Sequence, residues 1–350
     1  MIPKPFPGFT HSTTHHCVTG SMRHIYEFNG FPISEEMLLG LGAGVGFVYW
    51  HTKGSPPFLG GRANVGRPGE EGLEKAAGRC TGVFVEVFRT ESAIKAEKSL
   101  LDWLAKCVPV MLVLDMGYLP YFDFGGQEFH FGYHVVVACG YDQDTELILI
   151  ADRDAELHPV SLKTLALARG SRYQPFPPHH AWYAFDFSSK HPPELKEINQ
   201  SIRQCVHGML KPPIANLGVK GIRKAAQRIW EWPRILNEKD LRDACINTAI
   251  MIDACGGTGG GLFRYMYGRF LDEAATITGQ GQLREAGKQM QAIGDLWQEA
   301  ADHFFRAYEN ERPSAELAQV CAILPCIAAQ EEATWEKLGQ ITPVSIEKEI

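Results

Sequence analysis

The sequence predicts an α+β domain over residues 1–188 followed by an all-α helical domain over residues 192–350. Three observations carry that prediction. A helix-patterned segment, VTGSMRHIYEFNG, follows Cys17. Unbroken apolar runs of strand type, VVVAC and LILIA, come much later, at 135–139 and 147–151. Beyond the break HPPELKE (191–197), the segments carry helical spacing.

Each element has a local reason. The first segment, MIPKPFPGFTHST, is interrupted by prolines and has no apolar core, so it is not read as a signal peptide. A polar run, STTHH, then meets the Cys17 helix, where Val18, Met22, Ile25 and Tyr26 share a face. Gly30 stands where a left-handed C-terminal cap is expected. Ser34, with Glu35 and Glu36 behind it, reads as the start of a second helix. GLGAGVG (40–46) lacks both the G-x-G-x-x-G spacing and a preceding strand, so it predicts close packing or a flexible loop near Cys17. Residues 51–72, rich in Gly and Pro, are expected to be irregular and to form a mobile loop over the site.

TGVFVEVF (81–88) and PVMLVLD (109–115) read as strands, with helical spacing between Glu91 and Cys107. FGYHVVVACGYDQDTELILIADRD reads as a hairpin of two strands buried on both faces, which implies covering helices. AWYAFDF (181–187) is the last strand. In the second domain, Leu283, Ala286, Met290, Ile293, Trp297, Ala300 and Phe304 step by three and four, the seam of a helix bundle. Pro325 is expected to kink the final helix.

The chemistry centres on Cys17. A thiol in the first turn of a helix feels the partial positive charge of unpaired amides, which favours the nucleophilic thiolate. His134 opens the first hairpin strand and Asp152 closes the second. If Tyr141 pairs with Leu147, Val136 faces Asp152, and His134 becomes its diagonal neighbour at roughly 7–8 Å. The same register puts Asp154 directly opposite His134, so either aspartate is a candidate, and a one-residue slip would separate the pair. Cys17, His134 and an aspartate together fit an activated nucleophile. The imidazole ionises the thiol and the carboxylate orients the imidazole. The chain order, with Cys at a helix start and His on a sheet, is shared with papain-like folds.

HHCVTGSMRHIYEFNGFPISEEMLLGLGAGVGFVYW and YHVVVACGYD followed by IAD resemble the N-terminal domain family of the butirosin biosynthesis protein H. KPPIANLGVKGIRKAAQRIWEWP and GGTGGGLFRYMYGRFLDEA resemble the helical domain that often follows it, so the resemblance covers most of the chain. It implies a papain-like, C39-peptidase-like fold and an acyltransferase. An acyl or aminoacyl group would pass from the phosphopantetheine arm of an acyl carrier protein to a small-molecule amine in secondary-metabolite or antibiotic biosynthesis, with no other cofactor. It selects Asp152 over Asp154, with Cys17 as acyl acceptor and His134 as base. C39-type peptidases place an oxyanion-binding glutamine about six residues before the cysteine, where this chain has His11. The resemblance therefore leaves the Cys17 amide with Thr13, Thr14 or His11 as donors. A cysteine peptidase or amidase, or a non-catalytic binding module on the same fold, are the competing readings.

Composition narrows the classes further. A net charge of −7 offers no basic excess for nucleic acid, and no apolar run is long enough to span a bilayer. Nine cysteines without a Cys-x-x-Cys pair suit reduced thiols, so a cytoplasmic location is expected. His15, His16 and Cys17 are adjacent and lack metal-ligand spacing, so no metal is expected. GGTGGG (256–261), ahead of Arg264, is a candidate phosphate cradle, although a tight helix–helix turn is the default reading. Lys220, Arg223, Lys224 and Arg228 share one helical face suited to an acidic carrier, although a solvated stripe is the commoner outcome.

Overall fold

The computed structural model describes residues 3–52, 56–66, 71–126, 128–310 and 313–342. The chain is α+β, with sheet and helices in the N-terminal region and helices in the C-terminal half. In chain order the first elements are α1 (Cys17–Phe28), α2 (Glu35–Leu41), β1 (Val45–Trp50), β2 (Phe58–Arg62) and α3 (Leu73–Cys80). They are followed by β3 (Phe84–Phe88), α4 (Ala93–Leu104), β4 (Val110–Leu114), β5 (His134–Asp142) and β6 (Leu147–Ala151). Next come β7 (Leu157–Ser161), α5 (Leu162–Arg169) and β8 (Trp182–Asp186). The remainder is α6 (Leu195–Leu210), α7 (Gly218–Ile229), α8 (Trp232–Ile235), α9 (Glu238–Ile252), α10 (Arg264–Thr278), α11 (Gly281–Glu309) and α12 (Ser314–Ile341).

Packing divides the chain into two compact units, and the division is discontinuous. One unit comprises Met1–Leu38 and Thr81–His191, the other Leu39–Cys80 and Pro192–Ile350. The linear division read from the sequence differs from this over residues 39–80, which pack with the helices. GLGAGVG ends α2 and opens β1 in that second unit. Its glycines are close-packing positions: a Cβ on Gly40 would enter the Phe270 ring, and one on Gly46 would meet Ala63. Of the segment expected to be an irregular loop over the site, residues 53–55 and 67–70 lie outside the described residues. Between them Phe58–Arg62 forms β2, paired antiparallel with β1.

The first unit is built on a six-stranded antiparallel sheet in the order β3-β8-β4-β5-β6-β7. The apolar runs that predicted two-sided burial are buried, over the first seven residues of β5 and the last four of β6, and β4 is buried throughout. On one face Leu112, Leu114, Val136, Ala138, Ile148 and Ile150 pack with Leu100 and Leu104 of α4 and Leu165 and Ala168 of α5. Helix α1 packs against β5 and β4. Its C-terminus closes as the sequence predicts. Gly30 is left-handed (φ +62°), the Gly30 amide donates to the Glu27 carbonyl, and the Phe31 amide reaches back to the Tyr26 carbonyl.

In the second unit the predicted seam of α11 is buried at all seven positions from Leu283 to Phe304. Helix α12 runs through Pro325 without ending there. Arg264, proposed from sequence as a phosphate contact, is instead a core strut. It is fully buried, donates to Glu331 Oε1 at 2.7 Å, and reaches the Gly46 and Leu262 carbonyls. The basic face of α7 is partly neutralised: Arg223 pairs with Glu332, Arg228 with Glu231, and Lys224 donates to Asn216. Among the described residues no helix is long and apolar enough to cross a membrane.

Candidate active site

Cys17 is the first residue of α1. His16 is its N-cap, with extended backbone and a side chain that accepts the Thr19 amide. The first turn stays compact because residue 20 is glycine: a Cβ there would run into the Thr14 side chain. This turn lies against β5 where its neighbouring strand has stopped. The last register pair of β5 with β6 is Val137 with Ala151, so Val135 has no strand partner on that side. Helix α1 takes the place of the strand. Ser21 Oγ donates to the Val135 carbonyl at 3.3 Å, and the Val135 backbone hydrogen-bonds the Cys17 sulfur.

The residue before Val135 is His134, and its imidazole hydrogen-bonds the Cys17 thiol. Its Nε2 donates to Asp152 Oδ2 at 2.7 Å, which leaves Nδ1 for the sulfur. The hairpin reaches this geometry by a slip and a correction. Near the turn Tyr141 pairs with Ile148, one residue away from the expected Leu147. A β-bulge between Ala138 and Gly140 then shifts the ladder, and Val137 pairs with Ala151, which is the register the sequence reading assumed. Without the bulge, the residues around Asp152 would turn to the opposite face.

Asp154, the other aspartate left open by the sequence, is engaged elsewhere. Its carboxylate takes His158 Nε2 at 2.9 Å, and its carbonyl accepts His11 Nε2 at 2.8 Å. His11, which stands where a glutamine was expected, thereby braces the strand end. Thr14 is buried against Gly20, with its amide donating to the Arg153 carbonyl, whereas Thr13 is exposed.

The electrostatics favour a charged pair. Burial works against a Cys17 thiolate, but the hydrogen bond and charge of His134, helped by Arg153 and the Val135 backbone, bring the thiol below its ordinary value. Burial also opposes an imidazolium, yet Asp152 and Cys17 together raise His134 to about 9. Asp152 is held down to about 2 against its own burial by His134 and Tyr121. His134 and Asp152 are buried, whereas Cys17 remains partly exposed.

Tyr121 escaped the sequence reading. Its hydroxyl donates to the same Asp152 Oδ2 at 2.9 Å, and its ring stacks on His158. Phe122 meets the His134 ring edge-on, with centroids 5.5 Å apart. The loop that delivers both is tied down at Asp115, which is fully buried. Asp115 accepts the Gly117 and Phe131 amides, His130 Nδ1 at 2.8 Å and Ser171 Oγ at 2.6 Å. That Ser–Asp–His group has the residue types of a hydrolase triad but the wrong connectivity. Ser171 donates to the carboxylate and not to the histidine, which makes the group a clamp.

His15, Glu35 and Glu36 place one potential ligand atom each within 4.8 Å of one another. Both Glu35 oxygens already accept backbone amides, so the group reads first as a structural knot.

An α+β unit that brings a helix-start thiol, an imidazole and a carboxylate into one hydrogen-bonded line defines a protein of the cysteine–histidine–aspartate type. The family model described as butirosin biosynthesis protein H, N-terminal, matches residues 16–153. The chain belongs to the family described as a domain of unknown function (DUF4872), whose model matches residues 163–338. No curated protein matches the chain.

Proposed function

We propose that the protein is a cysteine-dependent acyltransferase on a papain-like fold, acting in antibiotic or other secondary-metabolite biosynthesis. The observation that supports this reading most directly is the Cys17–His134–Asp152 line, with a thiol below its ordinary value and a buried, carboxylate-held imidazole. The match of residues 16–153 to the model described as butirosin biosynthesis protein H, N-terminal, supports a biosynthetic setting. The donor is a thioester on the phosphopantetheine arm of an acyl carrier protein, and the acceptor is a small-molecule amine.

The Cys17 thiolate attacks the thioester carbonyl, and the carbonyl electrons move onto oxygen. Collapse expels the carrier thiolate, which takes the proton from the His134 imidazolium. The amine then attacks acyl-Cys17 and gives its proton to neutral His134, and Cys17 leaves as thiolate. Asp152 keeps Nδ1 of His134 directed at the sulfur in both half-reactions.

The test uses a simple acyl thioester and intact-mass measurement of the full chain. A mass gain of one acyl group on Cys17, discharged by an added amine to give an amide, is the expected result. An unchanged mass, together with full activity in Cys17→Ala, would overturn the reading. Discharge by water alone, with peptides cleaved, would make the protein a hydrolase.

A further inference from the structure

Next to the nucleophile lies a buried carboxylate that the Cys17–His134–Asp152 chemistry does not use. Glu35 opens α2 and is 2% exposed. It accepts the His15 amide at 2.9 Å on Oε1 and 3.0 Å on Oε2, and the His16 amide at 3.2 Å on Oε2. His15 and His16 are the two residues that lead the chain into Cys17. The Thr19 amide goes to His16, whereas the Cys17 amide has no acceptor among the described residues. The start of α1 therefore has its amides sorted: Glu35 holds those of His15 and His16, His16 caps that of Thr19, and those of Cys17 and Val18 are left open among the described residues.

We propose that Glu35 is a positioning residue for acyl transfer: by holding the His15 and His16 amides it aims the open Cys17 amide at the developing oxyanion, and its ionisation gates the reaction from the acid side. The proposal rests on the reading of Cys17 as acyl acceptor. An ionised carboxylate binds the two amides through both oxygens with charge-assisted hydrogen bonds, roughly twice as strong as those a neutral carboxamide or protonated acid would make.

Burial pushes the Glu35 acid up to about 7, opposed by the His15 and His16 amides. Glu36 raises it further, Arg23 of α1 lowers it, and the His15 imidazole stands in the same cluster. The groups that lower the Cys17 thiol against its own burial are His134, Arg153 and the Val135 backbone. Loss of the Glu35 charge should therefore misplace an amide and leave thiol ionisation alone. That separates a positioning role from a general loss of structure.

The experiment compares the wild-type chain with Glu35→Gln and Glu35→Asp between about pH 5 and about pH 9. Two rates are measured for each: Cys17 alkylation by iodoacetamide, and Cys17 acylation by a simple acyl thioester. In Glu35→Gln, alkylation is expected within about twofold of wild type at each pH. Acylation kcat should fall at least about tenfold with KM unchanged, towards the roughly 10²- to 10³-fold cost of losing one oxyanion donor outright. The wild-type acylation limb near pH 7 should be missing in Glu35→Gln and partly kept in Glu35→Asp, whose folding is checked by circular dichroism. An identical acid limb in the Gln variant, or alkylation and acylation falling together, overturns the proposal. Absence of acylation in the wild type removes the acyl-acceptor reading and this proposal with it, whereas normal acylation with no effect of Gln removes only the role of Glu35.

Discussion

His134 Nε2 and Asp152 Oδ2 stand 2.7 Å apart across 18 residues of chain, with both side chains almost wholly shielded from water. A carboxylate so placed does more than orient a ring. In a site of low effective dielectric it stabilises the imidazolium that the neighbouring thiol creates.

The first consequence is a pH profile with an assignable alkaline limb. His134 is raised from 6.5 to about 9, so its imidazolium is complete below about 6.5 and disappears as pH rises through about 9. Acylation of Cys17 by a thioester needs that proton for the leaving thiolate, so its rate should decline above about pH 9. Alkylation by iodoacetamide needs only the thiolate and should not decline there. Stopped-time mass spectrometry of both adducts checks this. Parallel alkaline declines in the two reactions would disconnect the limb from His134.

Asp152→Asn should move that limb. The amide keeps a hydrogen-bond acceptor but loses the charge that holds His134 up, so the imidazole falls back towards its ordinary value near 6.5. The Cys17 thiol then rises, because its stabilisation runs through His134. Acyl transfer at neutral pH is expected to drop roughly 10²- to 10⁴-fold, the range for general acid–base groups. The remaining activity should show its alkaline limb well below pH 9. A pH profile of kcat/KM for the variant, unchanged in shape, would show that Asp152 only packs.

How much of this was legible beforehand depended on the range of each interaction. Local signals read well: the α1 boundaries, the Gly30 cap and the α11 seam follow from neighbouring residues. His134 and Asp152 were also visible, as polar residues ending apolar strands. What the sequence could not carry was the bulge at Cys139, since nothing in VVVACGYD sets a one-residue insertion against a partner strand. Tyr121 was hidden for a different reason. It approaches Asp152 from a loop whose course is set by the Asp115 clamp, and no periodicity encodes that contact. The β1–β2 hairpin was likewise lost in a segment read as irregular, because its packing partners come from distant helices.

Tyr121→Phe tests the contribution of the residue that the sequence concealed. The hydroxyl donates to a buried, charged acceptor, and a hydrogen bond of that kind contributes roughly 1.5–3 kcal/mol. The aromatic stack on His158 survives the substitution, so the loss should be confined to Asp152. Asp152 should move up from about 2, since Tyr121 is one of the groups holding it down. Urea unfolding at neutral pH should show a lower midpoint with an unchanged slope. The difference should shrink as pH falls through the Asp152 titration, because a protonated Asp152 no longer rewards the donor. A stability loss independent of pH would attribute the effect to packing alone.

The second unit permits an independent prediction at Glu331. Its Oε1 accepts Arg264 Nε at 2.7 Å and Trp297 Nε1 at 3.2 Å, and its Oε2 accepts Trp335 Nε1 at 2.6 Å. Arg264 and Glu331 are both fully buried, so Glu331→Leu leaves a guanidinium and two indole donors without their acceptor. Removing one partner of a buried pair typically costs about 3–5 kcal/mol, whereas replacing both with apolar residues is often nearly neutral. Here the double variant Arg264→Met, Glu331→Leu should recover only part of the loss. The indole donors of Trp297 and Trp335 stay unpaired, and the Gly46 and Leu262 carbonyls lose Arg264. A double-mutant cycle from urea midpoints measures the coupling. Additive losses in the two single variants would mean that Arg264 and Glu331 act separately, and the strut would then be no more than two well-packed side chains.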